Sequence, residues 1–269
     1  MHAIYFLNRW LFMIKHTIKL LLAPLFLCSL LVACSTTTDP SDTYKDETAA
    51  QIFQKGEATL RDKNYQEAAK RFEALEVQYP YERNTEIAQL HIIYAYYMSS
   101  DYASAEAAAD RFVQAHPANS HVDYAYYMRG LSNYYQNLGV FERLFAVDLA
   151  TRDLVQIKKS YGDFSDVVSR FPNSRYAPAA YQYMVYLRNI LANHELEVAQ
   201  YYYRREAYVA AANRANLVIR HYQGAPAVLP ALIIMAKSYR ALHLLQAEQD
   251  TLRVLQYNYP GWAQEATKS

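Results

Sequence analysis

Residues Asp101 to Gly130 read DYASAEAAADRFVQAHPANSHVDYAYYMRG, a helix, a turn and a second helix. Tyr102, Ala105, Ala109, Phe112 and Val113 recur at steps of three and four, which places them on one stripe of a helix. His116-Pro117-Ala118-Asn119-Ser120 ends that helix, because proline supplies no N–H and its ring clashes with the preceding turn. Ser120 or Asn119 can cap the next helix, whose stripe is Val122, Tyr126 and either Arg129 or Gly130. The unit recurs outward in both directions. Tyr65 stands as far before Pro80 as Tyr102 stands before Pro117. The same distance back from the later stops gives Ile157 before Pro172, Tyr208 before Gln223 and Leu245 before Pro260.

This recurrence resembles the tetratricopeptide repeat, a helix pair with small residues where its two helices touch and a proline at the exit. The first copy matches at Ile52, Gly56, Ala68, Phe72, Leu75 and Pro80, and the second at Tyr96, Ala105, Ala109, Phe112 and Pro117. The third keeps Phe164, Val167 and Pro172. The fourth keeps Ala199, Tyr202, Ala211, Ala215 and Val218, with Gly224-Ala225-Pro226 as its turn. The fifth keeps Leu232, Ala236, Tyr239, Leu252, Leu255 and Pro260. Two closely packed helices leave no room for a large side chain at their crossing, and an aromatic ring fills the wedge beside it. Five matches in phase predict an all-α tetratricopeptide-repeat solenoid over 49–260, against the simpler reading of a helical bundle. Residues 261–269 form a short tail.

With 269 residues, 52% of them apolar, and only six glycines, the chain can bury a substantial core. A formal charge of +1 excludes a strongly basic surface for a nucleic-acid polyanion.

Residues 1–33 read as a targeting signal. Met13 to Lys19 is a short positive region, and it makes Met13 a better start than Met1. Leu20 to Val32 is an apolar core too short to span a bilayer. Leu31-Val32-Ala33-Cys34 resembles the lipobox of bacterial lipoproteins, in which the cysteine is lipidated and becomes the mature N-terminus. The alternative is a plain secretory signal with an incidental cysteine. By the same resemblance, serine at Ser35 points to the outer membrane. The chain has two cysteines, Cys28 and Cys34. The first leaves with the signal and the second takes the lipid, so no disulfide is expected. Arg9, Lys15 and Lys19 leave with the signal and no acid does, which takes the formal charge from +1 to −2. The polar, aperiodic stretch after Cys34, up to Thr48, reads as a flexible tether (34–48 with its lipid) with a reach of roughly 20 Å.

Pro117 and Pro172 stand too far apart for one repeat. The surplus, roughly 136–158, carries Phe141, Leu144 and Phe145, with Asp148, Arg152 and Asp153 spaced to pair. It is either a loop whose aromatics tuck into the groove or one that gates a binding surface. Tyr176 to Ala207 lacks an internal stop and reads as one long helix.

No catalytic constellation stands out. His194-Glu195 lacks the second histidine of a zinc-protease helix, and there is neither a nucleophile elbow nor a phosphate-cradling glycine loop. The chain reads as a non-enzyme with no cofactor. The unusual feature is tyrosine, at 27 residues. It gathers in the first helices of the repeats: Tyr94, Tyr96 and Tyr97; Tyr124, Tyr126 and Tyr127; Tyr181, Tyr183 and Tyr186; Tyr201 to Tyr203. Adjacent tyrosines cannot share one side of a helix. Some therefore face a groove, where ring and hydroxyl suit an extended peptide, unless all serve as packing wedges.

Lipobox, tether and five repeats together resemble the BamD family, also called ComL or YfiO, of outer-membrane assembly lipoproteins. The stretches that carry the resemblance are Ile93 to Tyr97, Asp110-Arg111-Phe112, Asp123-Tyr124, Tyr127 to Leu131, Phe171 to Ser174, and Val198 to Tyr202. Ala146 and Glu206 stand where that family has glycine. The resemblance implies a lipid-anchored scaffold on the periplasmic face of the outer membrane, within the complex that folds β-barrels into it. It implies docking of the POTRA domains of BamA by the C-terminal repeats, through Arg214 and Arg205, beside the other Bam lipoproteins. It also implies an N-terminal groove that takes signal strands of unfolded barrel proteins. Tyr79 matches an aromatic linked to substrate contact, and Tyr94 and Tyr97 are the groove tyrosines expected beside it. On the residues alone, Arg214 reads equally as a solvated helix arginine and Tyr79 as the hydrophobic cap of its repeat. A scaffold bound to peptidoglycan or its remodelling enzymes is the alternative function.

Overall fold

A computed structural model describes residues 43–136 and 154–262, and among these there are ten α-helices, one short 3-10 helix and no strand. The helices form five pairs. They are α1 (Ala49–Arg61) with α2 (Tyr65–Gln78), α3 (Thr85–Met98) with α4 (Tyr102–Ala115), and α5 (Val122–Gln136) with α6 (Val155–Arg170). Then come α7 (Ala177–Arg204) with α8 (Tyr208–His221), α9 (Val228–Ala241) with α10 (Leu245–Asn258), and the 3-10 turn Pro260–Trp262. Each helix packs on the next, and first helices also touch across repeats, α3 on α5 and α7 on α9. This is the all-α repeat solenoid that the sequence predicts. Second helices begin at Tyr65, Tyr102, Tyr208 and Leu245, as the spacing requires. The third begins at Val155, two residues before Ile157.

The five stops share one geometry. Tyr79, His116, Phe171, Tyr222 and Tyr259 are C-caps with φ between −122° and −139° and ψ between 43° and 64°. Each cap N–H donates to the carbonyl four residues back, at Leu75, Phe112, Val167, Val218 and Leu255. Proline follows four of these caps and forces its predecessor out of the helical region. At Tyr222 glutamine follows, and the geometry is the same.

The turns inside the pairs use a different device. Lys63, Ser100, Glu206 and His243 have φ of 60°, 64°, 59° and 57°, the left-handed region that favours glycine. Glu206, expected to replace a glycine, occupies such a position.

Packing follows the small-and-aromatic rule. A Cβ at Gly56 would meet the Phe72 ring at 2.7 Å, and one at Gly130 would meet the Phe164 ring at 2.9 Å. Gly130, not Arg129, therefore completes the stripe of α5. Arg129 is pinned to the side, 2.6 Å from Asp110 of α4 and 2.7 Å from Asp163 of α6. Ala105 and Ala109 are fully buried at the α4 crossing. Buried side chains form two cores. One runs from Ile52 to Leu191 and the other from Ala192 to Leu255. The boundary lies inside α7, one continuous helix of 28 residues, as the missing stop predicts.

Within the stretch expected as tether, residues 44–48 are fastened to the first repeat. The Tyr44 hydroxyl donates to Glu67 at 2.6 Å and the Arg71 guanidinium lies 4.1 Å over its ring. Burial, then Glu67, pushes the Tyr44 phenol up to about 12. Glu47 pairs with Lys55 at 3.0 Å, and Thr48 closes a capping box with Gln51. The signal, Cys34, the rest of the tether, the insertion residues Phe141 to Asp153 and the end of the tail lie outside the described residues.

Candidate functional site

The first helices carry more apolar residues than their cores can bury. In α3, Ile92, Ile93 and Ala95 point into the core, while Ile87, Leu90 and Tyr94 form a second stripe at steps of three and four. That second stripe is the floor of a groove of about 510 Å³. Leu60 at the end of α1 closes one end. His121 and Tyr124, at the start of α5, and Arg175 and Tyr176, leading into α7, form the other. Its walls are set by ring packing. Tyr65 meets Tyr94 edge-on at 6.1 Å, Tyr124 meets Tyr176 at 5.6 Å, and Tyr127 stacks on Tyr176 at 5.1 Å.

The groove is lined by one guanidinium, Arg175, and two imidazoles, His91 and His121. Arg175 lies 4.8 Å over the Tyr176 ring and donates to its hydroxyl at 2.5 Å. His91, set between Phe53 and Phe72, is pushed below the ordinary imidazole value by burial, with Glu57 pulling the other way. Burial pushes the Tyr124 phenol well up, so it stays a neutral hydrogen-bonding group. No carboxylate lines the groove. It is an apolar trough with tyrosine hydroxyls and one guanidinium, open along its length.

A larger cleft of about 630 Å³ lies beside α4, α5 and α6, and several of its charges are paired with one another. Arg129 bridges two aspartates there, and Lys159 meets Glu106 at 3.1 Å. Among the described residues no cluster of His, Cys, Asp and Glu could hold a metal, and no helix is long and apolar enough to cross a membrane.

The structure separates the residues singled out from the sequence. Tyr94, 37% exposed, lies in the groove. Tyr97 packs instead against Tyr102 at 5.5 Å and Tyr135 at 5.9 Å, and burial pushes its phenol up. Tyr79 caps α2, and its hydroxyl donates to the Glu47 carbonyl at 3.0 Å, which makes it part of the fastening of residues 44–48. Arg214, on α8, has a side chain 41% exposed and pairs with Glu195 of α7 at 2.8 Å. The carboxylate it meets belongs to its own chain. Arg205 caps α7, exposed, with its guanidinium 5.5 Å over the Tyr201 ring. Cys34 lies outside the described residues. Sequence reasoning missed Leu60, Ile87, Leu90, His121, Arg175 and Tyr176. The signal for two of them, Ile87 and Leu90, was available, since α3 carries apolar residues on two faces and only one can be core.

The chain is similar to known proteins along most of its length. The family model YfiO, described as outer membrane lipoprotein, matches residues 45–255. The outer membrane protein assembly factor BamD of Neisseria meningitidis serogroup B is 37% identical over 233 residues, 86% of this chain and 87% of that protein. The BamD of Vibrio cholerae serotype O1 is 34% identical over 88% of this chain and 97% of its own length. The BamD of Haemophilus influenzae is 30% identical over 88% and 89%.

Proposed function

Because this chain belongs to the YfiO family of outer membrane lipoproteins, we propose that it is an outer membrane protein assembly factor of the BamD type, a non-catalytic scaffold. The groove across its first helices carries the reading. It is open, apolar, floored by Tyr94 and sized for an extended segment, which is how an unfolded barrel strand presents itself before it pairs. On this reading Cys34 is the lipidated mature N-terminus and holds the scaffold on the periplasmic face of the outer membrane. The C-terminal repeats dock BamA. Arg214 supports that role because its side chain is partly exposed while Glu195, 13% exposed, holds one arm of its planar fork and leaves the rest for a partner. Tyr79 and Tyr97 act at one remove, through packing.

The test is capture of the full-length protein from envelopes solubilised in mild detergent, followed by mass spectrometry. BamA, unfolded barrel proteins and a lipid on Cys34 are expected; recovery of muropeptides in place of BamA would overturn the reading. Arg214→Leu should lower the BamA yield at least tenfold. Glu195→Gln serves as its control, because removing the arginine strands a largely buried carboxylate and a loss of fold must be told from a loss of docking.

A further inference from the structure

We propose that the groove has a polarity, and that the segment it takes carries an acidic side chain two residues from an aromatic or large aliphatic one, with Arg175 reading the acid. The inference rests on the groove being the strand-binding site.

The lining is uneven. Around Ile87, Leu90 and Tyr94 it is apolar apart from His91, and its one guanidinium, Arg175, stands toward the start of α7. Arg175 is exposed, and its contact is the neutral Tyr176 hydroxyl at 2.5 Å. Arg175 is held up first by Tyr176 and less by Asp123, whose two oxygens accept from the Tyr124 N–H at 2.8 Å and from the Ser174 hydroxyl at 2.6 Å. Among the described residues Arg175 makes no salt bridge, and Asp123 acts on it only at longer range. Two helix starts add positive partial charge at this end. Val122 opens α5, and α7 opens beyond Tyr176 without a side-chain cap.

An extended segment repeats its facing side chains every second residue, about 6.8 Å apart. A ring seated between Ile87, Leu90 and Tyr94 then presents the side chain two residues on to the cationic end. A carboxylate there meets a fork of five donors, and an amide meets only its hydrogen-bonding geometry without the charge. Arg175 is thus a specificity-determining residue, and the apolar floor supplies affinity that does not depend on it.

The test uses acetylated, amidated nonapeptides with a central Phe in an alternating apolar pattern, carrying either Asp or Asn two residues away. Binding to the full-length protein in mild detergent is read by fluorescence anisotropy. The Asp peptide should bind about tenfold more tightly than the Asn peptide at low salt, and the gap should shrink as salt is raised. Arg175→Gln should reduce the gap to less than twofold while leaving the Asn peptide unchanged. Equal binding of the two peptides to the parent protein overturns the inference, as does a variant that weakens both alike. A third peptide keeps Asn and has a free C-terminal carboxylate. If it alone gains affinity through Arg175, the groove reads a chain end and the internal acid is wrong. If no peptide binds, or if Tyr94→Ala leaves binding untouched, the strand-binding reading of the groove itself fails.

Discussion

At the scale of the residue, the helix crossings set the tolerances. The Phe164 ring stands 2.9 Å from where a Gly130 Cβ would be, whereas a Cβ at Gly162 meets nothing within 4 Å. Both glycines are helical and have opposite prospects. Gly162→Ala removes a helix-interior glycine at no steric cost and should stabilise by about 0.5–1 kcal/mol. Gly130→Ala gains the same propensity but drives a methyl into a fully buried ring, where overpacking costs about 1–3 kcal/mol. The first variant should melt above the parent and the second below it, by circular dichroism. If both rise, the ring is free to move and the packing account is wrong. The sequence made such crossings legible, since small residues and aromatics recur in phase. It did not make the Arg129 bridge legible. The bridge depends on Asp110 and Asp163 arriving from two other helices, and their separation along the chain carries no periodicity.

The elements are ended by two kinds of turn, and these differ in how far they could be read. The exits at Pro80, Pro117, Pro172 and Pro260 announce themselves through proline, and Gln223 was placed only by counting. Since Tyr222 has the cap geometry of the other four, and the Gln223 N–H is absent from the turn hydrogen bonds, Gln223→Pro should be accepted. It should stabilise by about 0.4–1 kcal/mol through the unfolded chain. The turns within the pairs were harder to read. Lys63, Ser100 and His243 adopt left-handed φ without glycine, and only Glu206 was marked, by its departure from the family pattern. Glu206→Gly should relieve about 1 kcal/mol of backbone strain, offset in part by the entropy of glycine. Glu206→Val should lose stability, because a β-branched side chain is ill suited to that region. Urea midpoints with an unchanged m-value are the measurement. An equal midpoint for Glu206→Val and the parent would show that the positive φ is not retained in solution.

For the whole molecule, the decisive feature is that two cores meet inside α7. The N-terminal core holds the groove and the C-terminal core holds Arg214. Leu187 and Leu191 anchor one side of the boundary, and Ala192 and Ala199 the other. Hydrogen exchange should therefore show two levels of protection that change within α7 near Leu191, with amides on either side of that point opening in separate cooperative units. A single level across all five repeats would show that the cores are one. The sequence disclosed the long helix through a missing stop. It could not disclose the division, which depends on which neighbours each half of α7 meets. The groove was half legible for a similar reason. Tyrosine clustering pointed to the first helices, but Tyr94 and Tyr97 differ only in the side of α3 they occupy.

The shared helix also bears on how such chains can change length over time. One residue added to or removed from an α-helix turns everything beyond it by about 100° and shifts it by 1.5 Å. In α7 it would swing Ala199 off the second core and carry Glu195 away from Arg214 while Leu187 stayed in place. Gene duplication and slippage should thus have left the lineage with an α7 of constant length, so that an aligned set of relatives would show no gap between Ala177 and Arg204.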